Sequence, residues 1–274
     1  MRPGISSAII LSMKWRIASG CIIGILVLPA HALDIGDFQL IDLSHAYSSD
    51  SLYWPTSPSK FEKKELSFGQ TDGGWFYSAY SICTPEHGGT HLDAPLHFAA
   101  DGNPTDKIPL ESLIGNAVVI DISKKAAADH NYVLSANDVL AFEDQYGRIN
   151  PGDIVLLRTD WSQFWPDAKS YLGDDTPGDD TNLQFPSYGV DAAHLLVVER
   201  EIAILGVDTA SADYGKSTDF VVHRIAAAHN VSNLENLTNL DKLPPIGALV
   251  FALPMKIEGG SGGPVRVVAL IPNK

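Results

Sequence analysis

Short runs of aliphatic, β-branched and aromatic residues, separated by Gly, Pro, Asp and Asn, recur through most of the chain. Runs of this length and composition are typical of β-strands. They predict strands at residues 38–43, 75–82, 117–122, 153–159, 202–207, 248–253 and 265–271. The run at 153–159 is almost continuously apolar, which indicates a strand buried on both faces of a sheet.

Helical signals lie between these runs. Ser135, followed by Asp138 three residues later, is typical of a helix N-cap, and this helix is expected to end near Gly147. Asp191 is predicted to cap a second helix that extends over the next seven residues, and residues 220–228 are predicted to form a third.

The order of these elements predicts the fold class. Strands that alternate with helices indicate one α/β domain, with a mixed β-sheet flanked by helices, over residues 33–274. Residues 161–188 are rich in Asp, Gly and Pro, so we expect a long surface excursion there.

The first 32 residues have the composition of an export signal. Arg2, Lys14 and Arg16 precede an apolar run at residues 21–28, and Ala-His-Ala at 30–32 offers a cleavage site. We therefore expect residues 1–32 to be a cleaved signal peptide and the mature protein to be periplasmic. A membrane anchor is the alternative, but the apolar run is short for a bilayer span.

Charge and cysteine content narrow the possible partners. The formal net charge is −14, and removing the three positive charges of the first 32 residues leaves −17 on the remainder. Such an acidic surface repels phosphate backbones, so we expect no nucleic-acid partner, and no membrane partner once the signal is cleaved. Cys83 is the one cysteine beyond the signal, which excludes an internal disulfide in the mature chain.

Three of the chain's nine histidines and one aspartate, His87, His91, Asp93 and His97, lie within eleven residues. Counted from His87, the others stand at offsets of four, six and ten. All offsets are even, so an extended segment would turn the four side chains to one face. Imidazole and carboxylate ligands without thiolate suit Zn²⁺, Mn²⁺ or Fe²⁺. The pattern therefore predicts a divalent metal site, the alternative being a set of solvated loop histidines.

The segment at residues 87–98, HGGTHLDAPLHF, resembles the H-x-G-T-H-x-D-x-P-x-H-F signature of the cyclase-like metal-dependent amidohydrolases. That superfamily includes bacterial kynurenine formamidases and isatin hydrolases. Further matches at residues 151–158, 206–211 and 262–266 extend the resemblance over nearly all of the mature chain. The resemblance implies a swivelling β/α/β domain. It also implies a homodimer, because family members commonly build part of the pocket across a subunit interface.

The resemblance assigns roles within this segment. His87, His91 and Asp93 match the family's first metal ligands, and His97 matches its proton donor and acceptor. A divalent ion lowers the pKa of bound water from about 15.7 toward about 7 and polarises a carbonyl. A histidine at the edge of such a site has a pKa suited to carrying a proton to a leaving amine.

Two residues far along the chain complete the set that the resemblance implies. His223 and Glu235 match the ligands of a second metal ion that shares Asp93. We therefore expect one or two ions, either Mn²⁺ or Zn²⁺.

The resulting hypothesis is hydrolysis of a small aromatic cyclic amide, with isatin giving isatinate, by metal-bound hydroxide and a histidine proton shuttle. The residues at 206–220 and the export signal resemble isatin hydrolases more than the shorter, cytoplasmic kynurenine formamidases. The alternative within the same chemistry is hydrolysis of N-formylkynurenine, an open-chain aryl formamide. A periplasmic metal- or solute-binding protein without turnover is the non-enzymatic alternative.

Two further residues are candidates for substrate binding. Trp75, which follows two glycines, is able to stack on a flat aromatic substrate, although core packing explains it equally well. Ser211, with Asp213 beside it, follows a buried strand, where both ligand contacts and helix caps are common. The glycine-rich segment 259–263 contains no Lys, so it is not a P-loop; it either lets backbone approach the substrate or connects two strands.

Overall fold

In the computed structural model, which describes residues 34–273, most of the apolar runs pair into one curved sheet. The predicted signal peptide, residues 1–32, lies outside the described residues. The strands within that range are β1 (Phe38–Asp42), β2 (Glu62–Gln70), β3 (Phe76–Cys83), β4 (His91–Asp93), β5 (Ile114–Asp121), β6 (Val133–Leu134), β7 (Ile154–Arg158), β8 (Ser187–Tyr188), β9 (Ile204–Val207), β10 (Ser232–Glu235), β11 (Ile246–Pro254) and β12 (Gly262–Pro272).

The helices flank this sheet and are short. The α-helices are α1 (Leu110–Leu113), α2 (Ser123–Ala128), α3 (Ala136–Tyr146), α4 (Ala168–Leu172), α5 (Val190–His194), which continues as a π-helix over Leu195–Glu199, and α6 (Val221–Ala228). Between residues 34 and 273 no helix combines the length and the apolar character needed to cross a bilayer.

The main sheet closes on itself. Its strand order is β1-β12-β11-β5-β7-β9-β10-β4, with β5, β7, β9 and β10 parallel and the other neighbours antiparallel. β4 pairs with β10 on one side and with Gly262–Pro264 of β12 on the other, so the two ends of the sheet meet. The prediction of one α/β domain with a mixed sheet is confirmed, and the sheet forms a barrel-like arrangement that the pattern of strands did not reveal.

Side chains of the central strands point alternately to the two faces of the sheet, and both faces are covered, which explains why these strands are continuously apolar. Ala117 of β5 and Leu156 of β7 point into the barrel, where they join a core of aliphatic side chains. Val118 and Val155, their neighbours in sequence, point outward against α3, α5 and α6. Both faces of these strands are therefore buried, as the run at residues 153–159 predicted.

The helix predictions are confirmed in position, but one cap is wrong. Ser135 and Asp138 form a capping box at the start of α3, and Gly147 ends that helix. α5 begins after Gly189, whose extended backbone holds the N-cap position. Asp191 is already helical and is not the N-cap; its carboxylate accepts from the backbone N–H of Ala192, 2.9 Å away, and from that of Ala136, 3.0 Å away, and so joins α5 to α3.

The stretch at residues 161–188 is not a simple surface excursion. Trp161, Tyr171, Leu183 and Phe185 are buried together in a third apolar cluster beside the barrel. The indole N–H of Trp161 donates to the carbonyl of Tyr171 over 2.7 Å. These apolar residues are isolated among polar ones, so no periodicity signals that the segment folds back onto the domain.

The predicted strand at residues 75–82 is β3, whose strand partner is β2. β2 was not predicted, because it begins Glu-Lys-Lys-Glu and carries few apolar residues. The hairpin leaves large apolar side chains exposed on its surface. They are Leu66, Phe68, Trp75, Phe76, Tyr77, Tyr80 and Ile82. We call this β2–β3 hairpin the arm.

Candidate metal centre and its cavity

The pairing of β4 with β10 places the first ligands. Leu92 lies in the barrel core, so its neighbours His91 and Asp93 point to the opposite face of β4. Glu235 of β10 stands directly opposite His91 in the antiparallel ladder. Residues directly opposite in such a ladder share a face, which brings an imidazole and two carboxylates together outside the barrel wall.

His87 and His97 reach the same place by other routes. The chain before β4 is a loop in which Gly88 and Gly89 have φ values of 148° and 58°. The chain after β4 turns into a short 3₁₀-helix that begins at Pro95 and contains His97. The expectation of one extended segment is therefore wrong, since only three of its residues are β-strand. The four side chains still converge, because loop and helix fold back over the end of the strand.

α6 supplies the remaining imidazole. His223 Nε2 lies 3.2 Å from Asp93 Oδ2 and 3.1 Å from Glu235 Oε1. Asp93 Oδ1 is in turn 2.6 Å from His87 Nδ1 and 3.1 Å from His91 Nε2. Asp93 is thus the centre of the cluster, with both oxygens facing imidazole nitrogens.

The outer nitrogens of two imidazoles are held by hydrogen bonds. His223 Nδ1 donates to Asp213 Oδ2 over 2.7 Å, and His91 Nδ1 donates to the carbonyl of Gly89 over 3.0 Å. A neutral ring then presents a lone pair from Nε2. In both residues that lone pair faces carboxylate oxygens of Asp93 and Glu235, an arrangement that repels unless a cation lies between them.

Of the two roles considered for Asp213, the structure shows the helix cap, and it adds a contact with His223. Besides receiving the proton of His223 Nδ1, its carboxylate accepts from the backbone N–H groups of Val222 and His223, at 3.0 and 3.1 Å. These are free N–H groups in the first turn of α6. Asp213 therefore fixes both the start of the helix and the orientation of its metal-facing imidazole.

Burial and charge show that the site attracts a cation. Burial lowers the pKa of His91, but the charges of Asp93 and Glu235 outweigh it and raise that pKa to about 9. Burial also lowers the pKa of His223. Its carboxylate partners outweigh this effect and raise that pKa well above the usual value. Burial raises the pKa of Asp93, but the neighbouring imidazoles hold it well below its ordinary range. A metal ion competes with protons for these groups, which must be deprotonated to bind it.

The donor set fits a divalent transition metal. Ligand atoms of His87, Asp93 and His97 lie within 4.8 Å of one another, and so do those of His91, Asp93 and Glu235. The two groups share Asp93, whose carboxylate is able to bind one ion or bridge two. Mixed imidazole and carboxylate donors suit Mn²⁺ and Zn²⁺ better than Mg²⁺ or Ca²⁺. His87, His91, Asp93, His223 and Glu235 would hold the metal.

The cluster forms one wall of a cavity of about 280 Å³. The rest of its lining is mostly apolar and aromatic. These residues are Leu52, Tyr53, Trp54, Gly88, Phe98, Leu172, Ala210, Ser211, Phe220 and Asn236. A mostly apolar cavity with a few polar groups at one end is typical of small-molecule sites.

The two predicted substrate contacts differ in outcome. Ser211 is buried and lines the cavity. Trp75 does not line the cavity of its own chain; it lies at the tip of the arm, 62% exposed. The aromatic position in the cavity belongs to Trp54, whose indole N–H donates to Asp180 over 2.9 Å. Nothing in the local sequence distinguishes Trp54 from Trp75, since only the packing of residues 161–188 brings Trp54 to the site.

His97 lies at the edge of the cluster, beside His87. Its ring is stacked on that of His87, with centroids 3.8 Å apart. Although the residue as a whole is exposed, desolvation of its ring lowers the pKa of His97 to about 4. The imidazole is therefore neutral near pH 7. Within residues 34–273 neither of its ring nitrogens has a hydrogen-bond partner, which leaves both available to substrate or water.

Comparison with known proteins agrees with this arrangement. A family model described as "Putative cyclase" matches residues 41–214. The isatin hydrolase of Roseibium aggregatum is 35% identical over 223 residues, which cover 78% of this chain and 82% of that protein. The kynurenine formamidase of Salinibacter ruber is 30% identical over 244 residues, covering 84% and 96%. A crystal structure of an isatin hydrolase bound to the product analogue thioisatinate matches with a TM-score of 0.79 and 32% identity, covering 87% of this chain and 94% of that one.

Metal loading is expected to stabilise the fold, because an ion relieves the repulsion among buried carboxylates and imidazole lone pairs. We expect the unfolding free energy of chelator-treated protein to rise by about 2.7 kcal/mol when Mn²⁺ or Zn²⁺ is added. This gain applies at a free metal concentration of about 100 times the dissociation constant of the wild-type site. Asp93→Ala should abolish the gain, whereas Asp241→Ala, at an exposed carboxylate, should retain it. Thermal melts and elemental analysis provide the measurement. An equal gain in Asp93→Ala would contradict the assignment of this centre.

Proposed function

The chain belongs to the cyclase family of metal-dependent hydrolases, and from this membership we propose that it hydrolyses a small aromatic cyclic amide, with isatin converted to isatinate. The observation that carries the proposal is the direct contact between the metal cluster and an aromatic-walled cavity. In that wall the ring centroids of Trp54 and Phe220 lie 6.0 Å apart, and those of Phe98 and Phe220 lie 5.5 Å apart. Such a wall suits a flat ring whose carbonyl faces the metal.

The bound ion would supply a water of lowered pKa and a Lewis acid for the amide carbonyl. The chain's own residues position the reactants around it. Asp93 and Glu235 hold negative charge beside the imidazoles, and Trp54 and Phe98 exclude water from the ring-binding side. The cavity thereby orients the amide carbon toward the nucleophile, which converts a bimolecular reaction into an effectively unimolecular one.

His97 carries the proton. Hydrolysis adds the oxygen of water to the amide carbon and breaks the bond from that carbon to the ring nitrogen. The nitrogen must receive a proton as it leaves. A neutral His97 is able to take a proton from water and donate it to that nitrogen. The product is an aryl amine with a carboxylate, and one proton is released to solvent overall.

Ser211 is proposed as a donor to the substrate. Its Oγ accepts from the backbone N–H of Asp213 at 3.2 Å. Within the described part of the chain its hydroxyl hydrogen has no acceptor. The hydroxyl lines the cavity, so it is free to donate to a carbonyl oxygen on the bound ring or to stabilise developing negative charge.

Turnover of isatin and of N-formylkynurenine by metal-loaded protein tests the proposal. We expect the higher kcat/KM for isatin, because the chain is more similar to the isatin hydrolase of Roseibium aggregatum than to the kynurenine formamidase of Salinibacter ruber. His97→Ala should lower kcat by roughly 10²–10⁴ without loss of bound metal, as expected for a proton shuttle. His194→Ala, at an exposed histidine remote from the cavity, is the matched control and should be unaffected.

Other outcomes select the alternatives. A tenfold preference for N-formylkynurenine would make the protein an aryl formamidase. Tight binding of the metal and of aromatic amides with no turnover of either compound would make it a binding protein.

The arm supports a proposal about assembly. Its exposed apolar side chains lie on a hairpin whose two strands pair only with each other among the described strands, and so many exposed apolar side chains together are unusual for a monomer in water. We propose that the arm packs against a second copy of the chain to form a homodimer. In such a dimer Trp75 would be able to reach the cavity of the partner subunit, although it does not line the cavity of its own chain.

Light scattering after size exclusion should therefore give the mass of a dimer for the mature protein. Replacing Trp75 and Ile82 by Ser should shift it to the monomer, because both side chains lie on the arm and would be covered in the dimer. Leu110→Ser, which removes a side chain that is 65% exposed elsewhere, should leave the dimer intact. A monomeric wild type would refute this assembly.

We also propose that the protein is exported and cleaved after residue 32. Expression of the full chain in a Gram-negative host, followed by N-terminal sequencing of the periplasmic fraction, should give a start near Leu33. Full-length protein confined to the cytoplasm would refute export.

A further inference from the structure

The glycine-rich segment at residues 259–263, with Ser261 at its centre, has no role in the reaction as described. It leads into β12 and runs past His87, where side chains would not fit. A Cβ on Gly262 would lie 2.6 Å from His87 Cε1, and one on Gly260 would lie 3.0 Å from Glu86 Oε1. The glycines therefore allow the backbone to approach both residues. This close approach brings the Ser261 side chain against the ring of His87.

Ser261 is held firmly in this position. Its backbone carbonyl accepts from Ala94 N–H over 2.8 Å, and its backbone N–H donates to Glu86 Oε2 over 3.0 Å. Thr105 Oγ1 contacts the carbonyl oxygens of Gly260 and Gly262 on either side, at 2.9 and 3.2 Å. The position of the hydroxyl is thus set by the backbone around it.

The hydroxyl connects a carboxylate to the imidazole. Ser261 Oγ lies 2.6 Å from Glu86 Oε2 and 2.9 Å from His87 Nε2. A carboxylate only accepts, and 2.6 Å is typical of an O–H donor to a charged oxygen. The single hydroxyl hydrogen is therefore directed to Glu86. The oxygen of Ser261 is left to accept, so the hydrogen on the imidazole must be on Nε2.

We infer that Glu86 and Ser261 are positioning residues for His87, which they hold in the tautomer whose Nδ1 lone pair faces Asp93 and the metal. His87 Nδ1 lies 2.6 Å from Asp93 Oδ1, so in this tautomer its lone pair faces a carboxylate oxygen, an arrangement that repels unless a cation lies beside both atoms. Asp213 and the Gly89 carbonyl fix the other two imidazoles in a corresponding way. His87 differs because its side chain is 27% exposed, so without the hydroxyl and the carboxylate water would compete for its outer nitrogen.

The inference rests on the proposed function only in that His87 binds the ion, and its test does not require turnover. Zn²⁺ affinity of the mature protein is measured by competition with a chromophoric chelator. Ser261→Ala and Glu86→Ala should each weaken it by about 10–100-fold, the usual effect of removing an outer hydrogen-bond partner of a metal ligand. Glu86→Gln should restore affinity close to the wild type, because the amide oxygen still accepts from both Ser261 donors.

Two controls separate positioning from support of the loop. Asp106 Oδ1 accepts from Gly259 N–H over 2.9 Å and holds the same segment without touching a ligand, so Asp106→Ala should keep wild-type affinity. In the Zn²⁺-loaded protein labelled with ¹⁵N-histidine, His87 should show a protonated Nε2 and a metal-bound Nδ1. Ser261→Ala should remove the exchange protection of the Nε2 proton.

Equal loss of affinity in Asp106→Ala and Ser261→Ala would show that the segment is only a support, and overturn the inference. A protonated Nδ1 in the loaded wild type would also overturn it. Binding of Zn²⁺ as expected, without hydrolysis of any aryl amide, would refute the proposed function and leave this inference intact.

Discussion

The contact of Asp93 with imidazole nitrogens on both of its oxygens is the interaction on which the rest of the site depends. Asp93, His91, His223 and Glu235 are all at most 5% exposed, so their charges and lone pairs receive little help from water. Removing such groups from water costs several kcal/mol per ion unless opposite charge compensates. The outer hydrogen bonds turn lone pairs inward, and this geometry suits a divalent cation.

The barrel is what makes that cluster possible. β4 is only three residues long, yet it pairs with strands on both sides and closes the sheet. Leu92 at its centre is buried in the barrel core, and this fixes His91 and Asp93 on the outer face. A rigid wall of this kind holds ligands more accurately than a loop does. The loop and 3₁₀-helix on either side need only add one histidine each.

The cavity and the arm place aromatic side chains in two different surroundings. Aromatic residues that line the cavity come from three distant segments, and they pack on one another through tilted ring contacts. Aromatic residues on the arm pack mainly within the hairpin and remain exposed. The same residue types therefore line an internal cavity in one place and an exposed surface in the other. Only their position in the fold separates the two uses.

The sequence by itself determined the local elements and the chemistry of the site. The seven predicted strands exist, Ser135 caps its helix, and the ligand types in the segment at residues 87–98 indicated a divalent metal, because periodicity, caps and donor chemistry are local properties. His223 and Glu235 were reached through the resemblance, and the tertiary structure brings them to within 3.4 Å of the first ligands. Only that structure decided the barrel closure, the position of Trp54 and not Trp75 in the cavity wall of its own chain, and the contact of Ser261 with His87. These depend on contacts between residues more than 100 positions apart, and no local pattern records which distant segments will meet.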